Sequence, residues 1–119
     1  MTGQELKDAV TALGFNSELP DEEGFFQAAN LAMMRLRTLI PVDGKIVPLS
    51  LDTLGEELPI DPALSEAAVL LTAYYVWLED DQAKAAAYRN EYDYAVAQIM
   101  RRRKVEYTEI TTKIGRAHV

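Results

Sequence analysis

Two apolar, alanine-rich stretches joined by an acidic corner set the strongest limit on what this chain can fold into. Residues 63–78 read ALSEAAVLLTAYYVWL, residues 82–104 read QAKAAAYRNEYDYAVAQIMRRRK, and Glu79-Asp80-Asp81 lies between them. In the first, Leu64, Ala67, Ala68, Leu71, Tyr75 and Leu78 recur at helical spacing, with Asp61 as N-cap and Pro62 at the first helical position. Val69, Leu70 and Val76 make that helix apolar on a second side. A helix apolar nearly all round is central in its domain or buried in an assembly. In the second, Ala85, Tyr88, Tyr92, Ala95, Val96 and Ile99 share one face, and Asp80 or Asp81 caps the start. Its expected end is the cation cluster Arg101-Arg102-Arg103-Lys104, where the helix dipole favours positive charge.

Two further helices precede this pair. Thr2 followed by Glu5 is a capping-box pattern, and Leu6, Ala9, Val10 and Leu13 fall on one face of a helix from Gly3 to Leu13. Gly14 suits the left-handed position that ends it, with Phe15 folding back onto the apolar face. A second helix begins near Pro20-Asp21-Glu22-Glu23 and runs to about Leu39. Phe25 or Phe26, Ala29, Met33, Leu36 and Ile40 line its inner face, and Pro41 stops it. Arg35 and Arg37 near its end read as dipole-matched, solvated cations.

Residues 41–61 read as a loop, or as a short hairpin around Asp43-Gly44 that Pro41 and Pro48 restrict to an edge. Connections this long are often functional. Residues 105–112, VEYTEITT, alternate and are β-rich, as in a strand that pairs with a neighbouring copy or an extended arm that orders only in an assembly. Ile114-Gly115-Arg116-Ala117-His118-Val119 resembles the translation of a sequencing-adapter read-through; an ordinary tail is the alternative. The expected organisation is therefore all-α. It comprises a small bundle of about four helices over residues 1–104, an extended arm at 105–113 and an artefactual tail at 114–119.

At 119 residues the chain is one domain on size, large enough to close a core without staples. It has no cysteine, which removes disulfides, thiolate metal sites and cysteine nucleophiles, and weakly favours a reducing compartment. No apolar run reaches the roughly 20 residues of a membrane span. Met1–Glu5 has neither the basic nor the apolar region of a signal peptide. The single histidine is His118, within the tail string, so histidine base catalysis and metal ligation have no candidate. The glycines near the helices stand singly and cradle no phosphate. Asp21-Glu22-Glu23 and Asp80-Asp81 read as helix-start and solubility acids rather than catalytic pairs. No catalytic, cofactor or metal residue is assigned.

Charge is divided along the chain. Residues 1–81 carry 15 acidic and 4 basic side chains, a net of −11; residues 82–113 carry 4 acidic and 7 basic, a net of +3. An acidic body lacks the basic face of a nucleic-acid binder, although Arg101–Lys104 alone could touch a phosphate backbone. The same asymmetry permits head-to-tail association of copies. Tyr74, Trp77 and Tyr94 lie partly off the apolar stripes and suit an interface.

The hairpin segment Leu64–Lys104 resembles one found in small tailed-bacteriophage structural proteins, the head–tail connectors or adaptors. The likeness rests on Ala68-Val69-Leu70-Leu71, Ala73 through Leu78, the corner Glu79-Asp80-Asp81, Ala83-Lys84-Ala85 and Tyr88 through Asp93. Phe26 through Leu36 is similar to the first long helix of such proteins. The matching patterns are of residue type and cover about half the chain. Longer chains of this kind carry a β-rich insertion where residues 41–61 stand here. The resemblance implies a non-enzymatic virion protein, assembled in the host bacterial cytoplasm, that forms a ring through side-by-side helix packing. Its partners would be copies of itself and the portal and tail proteins, with nucleic acid only passing through the ring. On that reading the subunit interface holds Tyr74, Trp77, Tyr94, Arg101, Arg102 and Arg103, and the second apolar side of the 63–78 helix supplies contact area. The alternative is a small helical adaptor or regulator acting as a monomer or dimer.

Overall fold

A computed structural model describes the backbone of residues 1–13 and 22–117, and side chains through residue 104. The chain is all-α, with four helices among the described residues: α1 (Gly3–Leu13), α2 (Glu22–Leu39), α3 (Ser65–Trp77) and α4 (Gln82–Ala117). Two short 3-10 turns, Leu51–Thr53 and Pro62–Leu64, lie between α2 and α3. The expected positions of Gly14 and Phe15 lie outside the described residues.

The local chemistry of the helix starts matches the sequence pattern. The Glu5 amide donates to the Thr2 hydroxyl at 3.2 Å, and the Thr2 amide donates to the Glu5 carboxylate at 3.2 Å. That reciprocal pair satisfies amides which the first turn leaves without helical partners. Asp61 accepts from the Ala63 amide at 2.9 Å, but the turn it caps is 3-10, and α3 proper begins at Ser65. Asp81, not Asp80, caps α4, accepting from the Lys84 amide at 3.0 Å.

The core sits around α3, which packs against α1, α2 and α4. Ala67, Ala68, Leu70, Leu71, Thr72, Ala73, Val76 and Trp77 are all buried. Opposite them stand Leu6 and Val10 of α1, Phe25, Ala29, Met33 and Leu36 of α2, and Ala85, Tyr88, Tyr92 and Ala95 of α4. A fully buried side chain of this kind contributes about 1.5–3 kcal/mol by leaving water. The second apolar side of α3 is thus covered inside the protein. Leu70 and Val76 are buried by the neighbouring helices and Val69 is partly buried, so most of this side serves the core.

The 41–61 connection is a loop rather than a hairpin, with no strand among the described residues; the one bridge is Thr2 with Glu57. It is fastened at three places. Asn30 receives the Leu49 amide at 2.7 Å and returns a bond from its Nδ2 to the Leu49 carbonyl at 3.1 Å. The Arg37 guanidinium donates to the carbonyls of Val42 (2.8 Å), Gly44 (3.0 Å) and Pro59 (3.3 Å). This corrects its reading as a solvated, dipole-matched cation. The chain start supplies the third fastening. Gly3 and Gln4 donate to the carbonyls of Glu56 and Leu54, and Leu58 donates to that of Met1. A Cβ at Gly3 would run into the Leu49 side chain and lie 3.3 Å from the Leu54 backbone. Gly44 has φ 102°, a left-handed value that lets the loop turn its carbonyl toward Arg37.

The expected extended arm at 105–113 is not extended: α4 continues unbroken to Ala117. Its 36 residues span about 54 Å, whereas the 13 of α3 span about 20 Å. Arg103 approaches Asp61 at 3.9 Å, which marks where the paired part of the hairpin ends. The arginine cluster lies along the helix and does not terminate it, since arginine and lysine are good helix formers.

Substitutions at two positions test these assignments. Arg37→Ala should cost about 2–3 kcal/mol in urea unfolding and speed amide exchange at residues 42–59. Arg37→Lys should not restore it, because an ammonium group cannot span three carbonyls. The Thr72 hydroxyl is fully buried with no hydrogen-bond partner. Thr72→Val should therefore raise stability by about 1 kcal/mol.

Candidate functional site

The residues expected at an interface divide between the two ends of the α3–α4 hairpin. At the corner end, Trp77 is buried, with the Lys84 ammonium 4.0 Å from its ring centroid. Its indole nitrogen has no hydrogen-bond partner. Tyr74 is half-buried; its ring lies 5.2 Å from that of Tyr75 and 5.3 Å from the Arg89 guanidinium. Arg89 also stands 5.4 Å from the Tyr92 ring and pairs with Asp93 at 3.3 Å. Tyr74 and Trp77 therefore spend most of their apolar area within the monomer.

At the far end the picture reverses. Tyr94 is 69% exposed, and Arg101, Arg102 and Arg103 are exposed. Arg103 reaches Asp61 only at 3.9 Å with both groups partly solvated, a weak pair. Tyr94 and Arg102 meet at a groove of about 690 Å³ between α3 and α4. Leu70, Ala95 and Ile99 lie in its lining, with Glu66, Glu91 and Arg102 adding charge of both signs.

A second groove, about 430 Å³, lies between α2 and the end of α3. Leu31, Tyr75, Val76 and Leu78 give it an apolar lining, and Glu79 and Asp80 are at one end. Leu31 is 51% exposed and Leu78 38% exposed. Leu31 stands in an otherwise buried stretch of α2, whereas Leu78, expected on the inner stripe, lies in the exposed turn just past α3, so neither exposure could be read from spacing alone. Leu31 follows an apolar run and sits one step off the inner stripe of α2; Leu78 is the last apolar residue before the corner.

The chemistry available in these places is that of contact surfaces. Among the described residues no group of three or more histidine, cysteine, aspartate or glutamate side chains could hold a metal ion. No described helix is long and apolar enough to cross a membrane. The shifted tyrosines belong to packing: burial raises the pKa of Tyr88 and of Tyr92, because the phenolate would lose hydration. The Tyr88 hydroxyl donates to the Leu13 carbonyl at 2.6 Å, tying α4 to the end of α1.

Comparison with known proteins gives no match to a family model, a curated protein or a solved structure.

The Tyr88 bond fixes a direction of pH dependence. Its raised folded-state pKa means that its stabilisation is fully present below the unfolded tyrosine value near 10 and declines as pH climbs toward the folded value. Tyr88→Phe should lose about 1 kcal/mol at neutral pH and show a smaller further loss between pH 9 and about 11. Chemical denaturation across that range checks both.

Proposed function

We propose that the chain is a non-enzymatic tailed-bacteriophage structural protein, a head–tail connector or adaptor that assembles as a ring between portal and tail. The phage assignment rests on the resemblance of the Leu64–Lys104 hairpin and the Phe26–Leu36 helix to such proteins. The observation that carries the assembly part is the set of large apolar side chains left outside a core that is already closed. Leu31 and Met34 stand out on α2, Ile46, Val47 and Leu51 on the loop, and Tyr94 and Met100 on α4. They are spread over separate faces, as side-by-side packing of copies in a ring requires. A heterologous interface uses two different surfaces of one subunit, so each copy must expose both.

Charge supports the same reading. The net −11 of residues 1–81 is drawn to the exposed basic segment Arg101–Lys104 of another copy. The latched loop 41–61 carries three of the exposed apolar residues and serves as a contact element toward a neighbouring ring. DNA, on this reading, passes through the ring without a base-reading site. Virion localisation follows from the assignment.

Light scattering on the protein mixed with a portal protein from the same genome should give a closed oligomer of fixed mass. Negative-stain images should show rings. A strict monomer in the presence of portal, or a gene neighbourhood without portal and capsid genes, overturns the reading.

A further inference from the structure

The groove between α2 and α3 and the outer face of α4 complement each other in both polarity and charge. Tyr94, Ala97, Met100, Arg101 and Lys104 are all exposed and lie within one arc of the helix, opposite the buried stripe of Tyr88, Tyr92 and Ala95. That face presents an apolar ridge, Tyr94 and Met100, edged by two cations. The groove presents Leu31, Tyr75 and Leu78, with the exposed carboxylates Glu79 and Asp80 at its end. The other groove, beside Tyr94, carries acids and Arg102 together and offers no single sign to a partner.

We infer that the occupant of the α2–α3 groove is the Tyr94–Lys104 face of α4 from a second copy of this chain, with Arg101 and Lys104 set against Glu79 and Asp80. Self-docking within one molecule is excluded by length. Arg103 lies beside Asp61, before the start of α3, whereas Glu79 and Asp80 follow its end. The 13 residues of α3 place about 20 Å between them. The contact joins unlike surfaces, so each copy gives one and receives one, and repetition closes a ring or extends a filament. The inference rests on the self-assembly part of the proposed function and specifies its two surfaces.

Charge exchange tests it on the full chain. The wild type alone should associate in sedimentation velocity at low salt and dissociate as salt rises. Glu79→Lys with Asp80→Lys, or Arg101→Glu with Lys104→Glu, should each raise the concentration of half-assembly about tenfold or more. The chain carrying all four changes should assemble again, as should an equal mixture of the two double variants. All four proteins should share the wild-type far-UV circular dichroism, because the four side chains are exposed. Association that ignores both double variants overturns this pairing while leaving ring assembly standing. A wild type that stays monomeric at every salt concentration also overturns it, as when the groove takes a basic helix of another protein. The connector reading is then judged by the mixture with portal alone.

Discussion

The burial of α3 on all sides is the constraint on which the remaining structure depends. Its 13 residues include eight that are buried, and they point around the whole helix circumference. A single neighbour can cover only one stripe of such a helix. α1, α2 and α4 are each recruited to a different side, and the 3-10 turn at Pro62–Leu64 swings the chain into the centre of that arrangement. The cost appears at Thr72 and Trp77. Each has a polar atom that enters the centre without a partner. Their apolar parts pack there, and neither polar atom is hydrogen-bonded.

Once α3 is enclosed, the chain between α2 and α3 runs out past Asn30 and returns to Arg37, with one short 3-10 turn as its only regular structure before Pro62. Its polar backbone groups need partners, since few are provided by the short turn at Leu51–Thr53. Two α2 side chains answer that need. Asn30 mimics a peptide edge for Leu49, and Arg37 gathers three carbonyls. The loop is therefore a placed surface, and the half-exposed Ile46, Val47 and Leu51 are held in position rather than trailing.

The helices were legible because each carries a period or a cap that acts over a few residues. The Thr2–Glu5 box, Asp61-Pro62 and Asp81 all marked starts, and α1 has the bounds its spacing predicts. The all-round apolar pattern of α3 announced centrality, but spacing could not say whether other helices of the same copy or a second copy would supply the cover. The roles of Arg37 and Asn30 depend on where a distant loop passes, and no local pattern encodes that. Residues 105–112 alternate as a strand does, yet a helix already propagating through Arg101–Lys104 extends at little cost, whereas a strand there needs a partner. Of the anticipated interface, Tyr94 and the arginines are open and Tyr74 and Trp77 are occupied. Aromatic residues off a stripe can be claimed by neighbouring cations, as Lys84 and Arg89 claim these.

The attachment of α1 at both ends has a temporal meaning. Its first turn leans on residues 54–58, and its last carbonyl is held by Tyr88, 75 residues further along. Each of these holding residues follows α1 in the chain, so α1 is made before what fastens it. An 11-residue segment is too short to hold a helix alone, so α1 keeps its form, and Leu6 and Val10 their cover, only once these later residues are in place.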